Sequence, residues 1–335
     1  MSKKEICLVT GATGAVGPSL IRHLVEEGYQ VRVLTRPESD VRLLPEGITR
    51  IIGDINNQGV IARAVSDVDY VFHLAAILHI NNPDASLIKE YNYVNVDGTK
   101  TIVDASVAAN VKRVIFFSTI NVYGSGGAGQ EFFENSLIDP QTLYTITKAK
   151  AEEIVLSARL VSDEKPLGVV LRLAAIYGPG MKGNYVSLLK GLKQGWFIPI
   201  GLGKNRRTLI YVDDAIRAAA IAASHPEAAG NIYNLTDGRV YSLMDIIHAM
   251  CGALGRRSPR VHLPIALVNY SVGLIEDVFR LLGQRSPIGR QTIGAMLEDR
   301  AVNGDKIQQE LGFNPKIELE EGWRKVVDEI YKQAQ

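Results

Sequence analysis

The chain has 335 residues, 46% of them hydrophobic and 22% charged, with 37 basic against 36 acidic side chains and a formal net charge of +1. This length and balance give material for one large folded domain or two smaller ones, and they exclude both a disordered chain and a disulfide-stapled miniprotein. They also argue against a general electrostatic grip on nucleic acid, while 31 glycines exceed the usual share and have to be located.

The opening, MSKKEICLVTG, runs straight into an apolar strand, without a long hydrophobic segment and small-residue cleavage site, so a cytoplasmic location is expected. Up to residue 178, short β-rich runs alternate with helical patterns: 6–10, 31–35, 49–53, 70–76, 113–119 and 168–178. Such alternation predicts parallel strands joined by helical crossovers. The runs are nearly continuous in apolar residues, as in a sheet covered on both faces, so an α/β doubly wound parallel sheet is expected over residues 1–178. Between the first two strands Leu20, Ile21, Leu24 and Val25 form a helical stripe, Pro18 fits the first turn, and Gly28 can end the helix.

Beyond residue 178 the regularity weakens. A helical stretch (184–195), a Gly/Pro-rich connection (198–205), a strand-like run (207–212), a helix (213–223) and a further strand (231–237) precede a mainly helical tail. A smaller C-terminal lobe over 179–206 and 237–335 is expected, with the chain returning to the first domain near 207–236. The apolar stretch from Leu263 to Leu282 is interrupted by Asn269, Glu276, Asp277 and Arg280. It is too polar for a membrane span of about 20 apolar residues; an amphipathic helix is the preferred reading and a membrane-surface segment the alternative. Cys7, Cys251 and six scattered histidines offer no metal-ligand spacing, so neither a metal site nor a disulfide framework is expected.

The strongest local motif is Thr10-Gly11-Ala12-Thr13-Gly14-Ala15-Val16-Gly17, set between the first strand and the first helix. Glycines at 11 and 14 allow a tight turn and close approach to a pyrophosphate, Gly17 allows helix to pack on strand, and the helix start supplies N–H donors to the anion. Gly11, Thr13, Gly14, Ala15, Val16 and Gly17 are therefore expected to hold a dinucleotide in a Rossmann domain. The second strand ends Leu34-Thr35-Arg36 with no acidic residue to accept a ribose 2′-hydroxyl, so Arg36 favours NADP(H) over NAD unless it is a solvated turn residue. Asp54, followed by Ile55, is placed either on the adenine amino group or as a turn cap. Tyr144 and Lys148, four apart on one helical face, provide a phenol and an ammonium that can lower its pKa toward proton exchange with a carbinol.

Together these motifs resemble the extended short-chain dehydrogenase/reductase family of the NAD-dependent epimerase/dehydratase type. The resemblance runs over nearly the whole chain: TGATGAVG, Gly53-Asp54, Leu74-Ala75-Ala76, Asn95-Val96 with Gly98-Thr99, FFSTINVYG, YTITK, IYGPG, Arg207 in RRTLIYVDD, and Leu311-Gly312-Phe313-Asn314-Pro315. It implies Thr119, Tyr144 and Lys148 as catalytic residues and NAD(P) as cofactor, with Lys148 also on the nicotinamide ribose. It further implies Leu74, Ala75 and Ala76 as a dinucleotide wall and Asn95 as internal support.

The stretch Gly178 to Tyr185 with RRTLIYVDD looks most like bacterial nucleotide-sugar 4-epimerases and 4-reductases. That likeness puts Asn184 and Arg207 on a UDP-sugar, with Ser118 beside Thr119. The residue-level alternatives are a helix cap for Asn184 and a surface salt bridge for Arg207. Ala174 and Ala175 depart from the aromatic and asparagine of many sugar epimerases. They bring the chain nearer to the steroid- and flavonoid-type ketone reductases of the superfamily, as does the tail from Leu263 to Gly283. Ile120-Asn121 replaces the Asp-Glu pair of dehydratases, and the intact Tyr/Lys pair speaks against a non-catalytic dinucleotide sensor. The family likeness also implies a homodimer.

Overall fold

Apolar runs with no polar alternation need cover on both faces, and the elements that follow provide it. A computed structural model describes residues 4–78, 85–127, 129–181, 183–281, 294 and 297–332. Its strands are β1 (Ile6–Thr10), β2 (Gln30–Thr35), β3 (Thr49–Ile52), β4 (Tyr70–His73), β5 (Arg113–Thr119), β6 (Glu131–Phe132), β7 (Gly168–Leu173), β8 (Ala175–Tyr177), β9 (Arg206–Arg207), β10 (Leu209–Tyr211), β11 (Ile232–Leu235), β12 (Tyr241–Ser242) and β13 (Ala301–Val302). The helices are α1 (Gly17–Glu26), α2 (Gln58–Val65), α3 (Ala85–Tyr91), α4 (Gly98–Ala108), α5 (Leu143–Ser157), α6 (Asn184–Gln194), α7 (Val212–Ser224), α8 (Leu243–Ala253), α9 (Ile265–Leu281), α10 (Asp305–Leu311) and α11 (Leu319–Lys332). A π-helical turn, Asn92–Asp97, joins α3 to α4.

Among the described residues, seven strands form a parallel sheet in the order β11-β7-β5-β4-β1-β2-β3. The chain builds outward from β1 through β2 to β3, then crosses to β4 and builds the other half. The order therefore reverses between β1 and β4, the place where an open α/β sheet leaves a crevice beyond its strand ends. The Leu74 N–H donates to the Thr10 carbonyl at 3.2 Å across that gap, so the two strand ends that flank the crevice are tied together.

Several expected strands are shorter: 231–237 narrows to Ile232–Leu235, and 207–212 divides between β9 and β10. The run 70–76 ends at His73, and 168–178 divides at Ala174, whose N–H bonds to Leu235 of β11 at 2.9 Å. After that break β8 leaves the main sheet and pairs in parallel with β10. Three members of the α1 stripe, Leu20, Ile21 and Leu24, are fully buried, but Val25 is 40% exposed, so the buried face is narrower than the periodicity predicts. Gly28 lies two residues past the end of α1 with φ +90°, a conformation that favours glycine. The tail helix expected to end at Leu282 is α9; Leu282 and Gly283 lie outside the described residues.

Candidate active site

The turn between β1 and α1 is bare for a packing reason. Gly11 has φ +72°, and a Cβ there would lie 2.7 Å from the Ala75 nitrogen and the Leu74 carbonyl carbon; at Gly17 it would lie 2.4 Å from the Ala12 oxygen. Any side chain would wedge the loop from β4 or the helix from its strand. Val16, at the amino end of α1, makes no side-chain cap hydrogen bond, and the first turn holds no acidic residue. Its N–H groups are thus left to an external anion, with Thr13, Gly14 and Ala15 around them. A pyrophosphate fits this cradle.

At the rim, Asp54 accepts hydrogen bonds at Oδ1 from the Asn56 N–H (2.7 Å) and the Tyr93 hydroxyl (3.0 Å). It forms a turn; the cap of α2 is Asn57, whose Oδ1 accepts from the Val60 N–H at 3.0 Å. Ile55 is buried in the adjoining core and packs where Gly98 opens space. Arg36 is a surface side chain, 72% exposed, 3.1 Å from the Glu38 carboxylate.

A buried polar relay begins at Thr10. The Ala75 N–H donates to the Thr10 hydroxyl (3.3 Å), which lies 2.7 Å from His73 Nδ1; His73 Nε2 lies 2.9 Å from the Thr99 hydroxyl, which donates to the Asn95 carbonyl (2.7 Å). Because Thr99 spends its proton on that carbonyl, it can only accept from His73, so Nε2 carries the proton and Nδ1 accepts from Thr10. Burial and then the neighbouring Lys148 push the His73 pKa down to about 3, so the ring is neutral. Asn95 Oδ1 accepts from the Ile77 N–H at 2.8 Å and its Nδ2 donates to Thr147 Oγ1 at 3.0 Å. Asn95 thus ties the segment after β4, including Leu74, Ala75 and Ala76, to α5. A π-turn at this point is a common device for aiming a side chain at a site.

Thr142 caps α5 through a capping box with Thr145, so the helix opens directly onto Tyr144. Tyr144 and Lys148 share one face of α5 and are 8% and 1% exposed. The Lys148 ammonium lies 3.8 Å from the Phe116 ring centroid, on β5. Burial pushes its pKa down to about 7, and burial followed by Tyr91 pushes the Tyr144 phenol up. This is opposite to the lowering that the Tyr/Lys spacing predicts, because in a pocket this dry the loss of solvation dominates. The phenol is held protonated.

Thr119 ends β5 almost buried, and its Oγ1 accepts from the Asn121 N–H at 3.2 Å. Ser118 departs from expectation. Successive strand side chains point to opposite faces, and the Ser118 hydroxyl donates inward to Glu152, which forms a 2.6 Å ion pair with Arg172. Ser118 belongs to that buried network and does not face a substrate beside Thr119.

In the C-terminal lobe Asn184 is the first residue of α6, is exposed, and lines a small apolar pocket with Ile176, Tyr177 and Tyr185; Gly183 occupies the cap position. Arg207 is half-buried. It donates to the main-chain carbonyl of Glu298, and a parallel bridge sets it in register with Arg300. Burial lowers its pKa, and Arg300 lowers it further. Arg300 donates to Asn121 Oδ1 at 3.0 Å and pairs with the Glu298 carboxylate at 3.2 Å, while its buried Nε has no hydrogen-bond partner among the described residues. Sequence reasoning misses Arg300, since only the register of β9 reveals it, and misses Glu152, although a lone arginine in the apolar strand LRL called for a buried acid. Among the described residues no His, Cys, Asp and Glu cluster could hold a metal ion.

The chain matches the NAD dependent epimerase/dehydratase family over residues 7–236. It is 27% identical over 321 residues to the UDP-glucose 4-epimerase of Vibrio cholerae, covering 95% of this chain and 93% of that one. It is also 27% identical over 329 residues to the 3-beta-hydroxysteroid dehydrogenase of Mycolicibacterium neoaurum, covering 94% and 88%. Among solved structures, MoeE5 in complex with UDP-glucose and NAD superposes with a TM-score of 0.74 at 25% identity, covering 98% and 99%.

Proposed function

The chain belongs to the NAD dependent epimerase/dehydratase family, and on that premise we propose that it is an NAD(P)-dependent oxidoreductase acting at C4 of a UDP-sugar, as a 4-epimerase or 4-reductase. When bound, a nicotinamide dinucleotide would supply or accept the hydride. The chain's own residues do the rest. The glycine cradle and the open start of α1 would hold the pyrophosphate, Lys148 would hold the ribose edge, and Asn95 fixes the wall. Tyr144 exchanges the proton with the carbinol or ketone oxygen, while Thr119 hydrogen-bonds the same oxygen.

One observation supports the substrate class: Arg207 and Arg300 are in register, Arg300 reaches Asn121 just after β5, and the buried Arg300 Nε has no hydrogen-bond partner among the described residues. Two neighbouring, partly desolvated guanidiniums, with Glu298 paired to one of them, favour an anionic ligand, and the arginine fork suits a diphosphate. The test is incubation of the purified protein with UDP-glucose and with UDP-N-acetylglucosamine, with sugars resolved by NMR. Appearance of the 4-epimer, or stoichiometric loss of NAD(P)H against a 4-ketosugar, supports the reading; inertness toward every UDP-sugar together with ketone-dependent NAD(P)H loss replaces it.

That replacement is the second reading, a steroid- or flavonoid-like hydroxy/ketone dehydrogenase. It is favoured by Ala174 and Ala175, which put a small apolar wall where a sugar would need a polar contact, and by the steroid dehydrogenase relative at the same identity as the epimerase.

A further inference from the structure

The net charge of +1 conceals an uneven distribution. From Pro179 to Val212 and from Ile246 to Ile275 the chain carries nine Lys and Arg and no Asp or Glu, so the remainder is net acidic. These two segments meet in the fold. Ile200 and Leu263 form a parallel bridge, Gly201 N–H donates to the Leu263 carbonyl at 2.8 Å, and Leu263 N–H donates to that of Pro199 at 2.8 Å. A Cβ on Gly195, at the end of α6, would lie 3.2 Å from the Arg256 guanidinium.

The joint surface is apolar as well as basic. Trp196, Leu202, Val261, Leu267, Tyr270 and Leu274 are all more than half exposed, Tyr270 at 68%. From Leu263 to Ile275 there is no charge at all, and in that stretch of α9 only Val272 and Gly273 are buried. Arg256, Arg257 and Arg260 stand exposed at its edge. A helix of this composition would pack its apolar face inward if the domain core were its partner; here that face looks outward. No described helix is long and apolar enough to cross a membrane.

We infer that this surface docks the protein on the face of an anionic lipid bilayer. The exposed arginines would meet lipid phosphates, Trp196 and Tyr270 would sit at headgroup level, and the aliphatic side chains of α9 would enter the acyl boundary. A second copy of the chain is a poor occupant, because a twofold contact through this face would bring two basic segments without a single acidic residue of their own against each other. The docking face continues along the chain into β9 and Arg207, so it would place the proposed substrate cleft close to the membrane surface. The inference does not depend on whether the substrate is a UDP-sugar or an apolar ketone.

The test is sedimentation of the full chain with sucrose-loaded vesicles of phosphatidylcholine alone and of phosphatidylcholine with about a third phosphatidylglycerol. Binding is expected only to the anionic vesicles and is expected to weaken with salt. Each arginine removed should weaken it about fivefold, so Arg256→Gln/Arg257→Gln/Arg260→Gln should lose on the order of a hundredfold. Leu267→Asn/Tyr270→Ser should lose binding while leaving the three arginines in place. Dinucleotide affinity, retained in both variants, reports that they fold. Failure to bind either vesicle overturns the inference, and so does a dimer in light scattering that the same substitutions dissociate.

Discussion

Arg172 on β7 and Glu152 on α5 meet at 2.6 Å, with side chains 4% and 3% exposed. Glu152 lies one turn beyond Lys148 on α5, also accepts from Ser118, and Arg172 stacks 4.8 Å over Tyr123. The pair thus fastens α5 to β5 and β7. Removing one partner leaves a buried charge alone, which costs about 3–5 kcal/mol. Glu152→Gln should lower the free energy of unfolding in urea by about 3 kcal/mol, whereas Glu152→Leu/Arg172→Met should recover most of the loss. A double variant no more stable than the single one would show that the network is needed for more than charge balance.

His73 predicts an acid limb in stability. Its pKa of about 3 in the fold lies below the ordinary 6.5, so between those values the unfolded chain binds the extra proton. Its contribution is fully present above pH 6.5 and is lost as pH falls toward 3, at up to about 1.4 kcal/mol per pH unit. His73→Gln should flatten urea unfolding midpoints over that range. An unchanged slope would assign the acid limb to other groups.

For Tyr144→Phe, turnover is expected to fall at least about a hundredfold while dinucleotide affinity stays nearly intact, because only the proton-exchanging oxygen is removed. Steady-state kinetics alongside a binding titration separate the two effects; retained turnover would take Tyr144 out of the chemistry.

Lys148 predicts proton uptake. With a pKa of about 7 it is mostly neutral at pH 8, yet the ammonium, with three charge-assisted donors, is the stronger partner for ribose hydroxyls. Dinucleotide binding should therefore pull its pKa upward, take up nearly one proton at pH 8, and weaken as pH rises toward the ordinary 10.5. Calorimetry in two buffers of different ionisation heat measures the uptake. Lys148→Met should abolish it, and equal heats for the unaltered protein would point to another group.

The parallel sheet and the glycine turn are legible in the residues because apolar runs and a turn between strand and helix are local facts. The break at Ala174 is not, since it depends on a bond to Leu235 in the last sheet strand. Arg300 is hidden for the same reason: its place beside Arg207 follows from a bridge between segments far apart in the chain. The Tyr144 phenol errs in a different way. Spacing shows that a cation is near but not how little water reaches the pair, and it is the burial that sets the direction. Net charge misleads most, because +1 is the sum of a basic, apolar edge and an acidic remainder.

Arg36 offers the remaining discrimination. It follows the second strand with no acidic residue in place for a ribose hydroxyl, and its ion pair with Glu38 joins two side chains 72% and 64% exposed. Such a surface pair contributes about 0–1 kcal/mol, so little holds the guanidinium away from a 2′-phosphate. Arg36→Ala should weaken NADPH much more than NADH. Glu38→Gln should act in the other direction, because it frees the arginine and removes a carboxylate that repels the phosphate, so NADPH should bind more tightly and NADH should change little. Fluorescence titration of both dinucleotides against both variants decides it: parallel shifts for NADH and NADPH would make Arg36 a solvated turn residue and leave the choice of dinucleotide to the rest of the cradle.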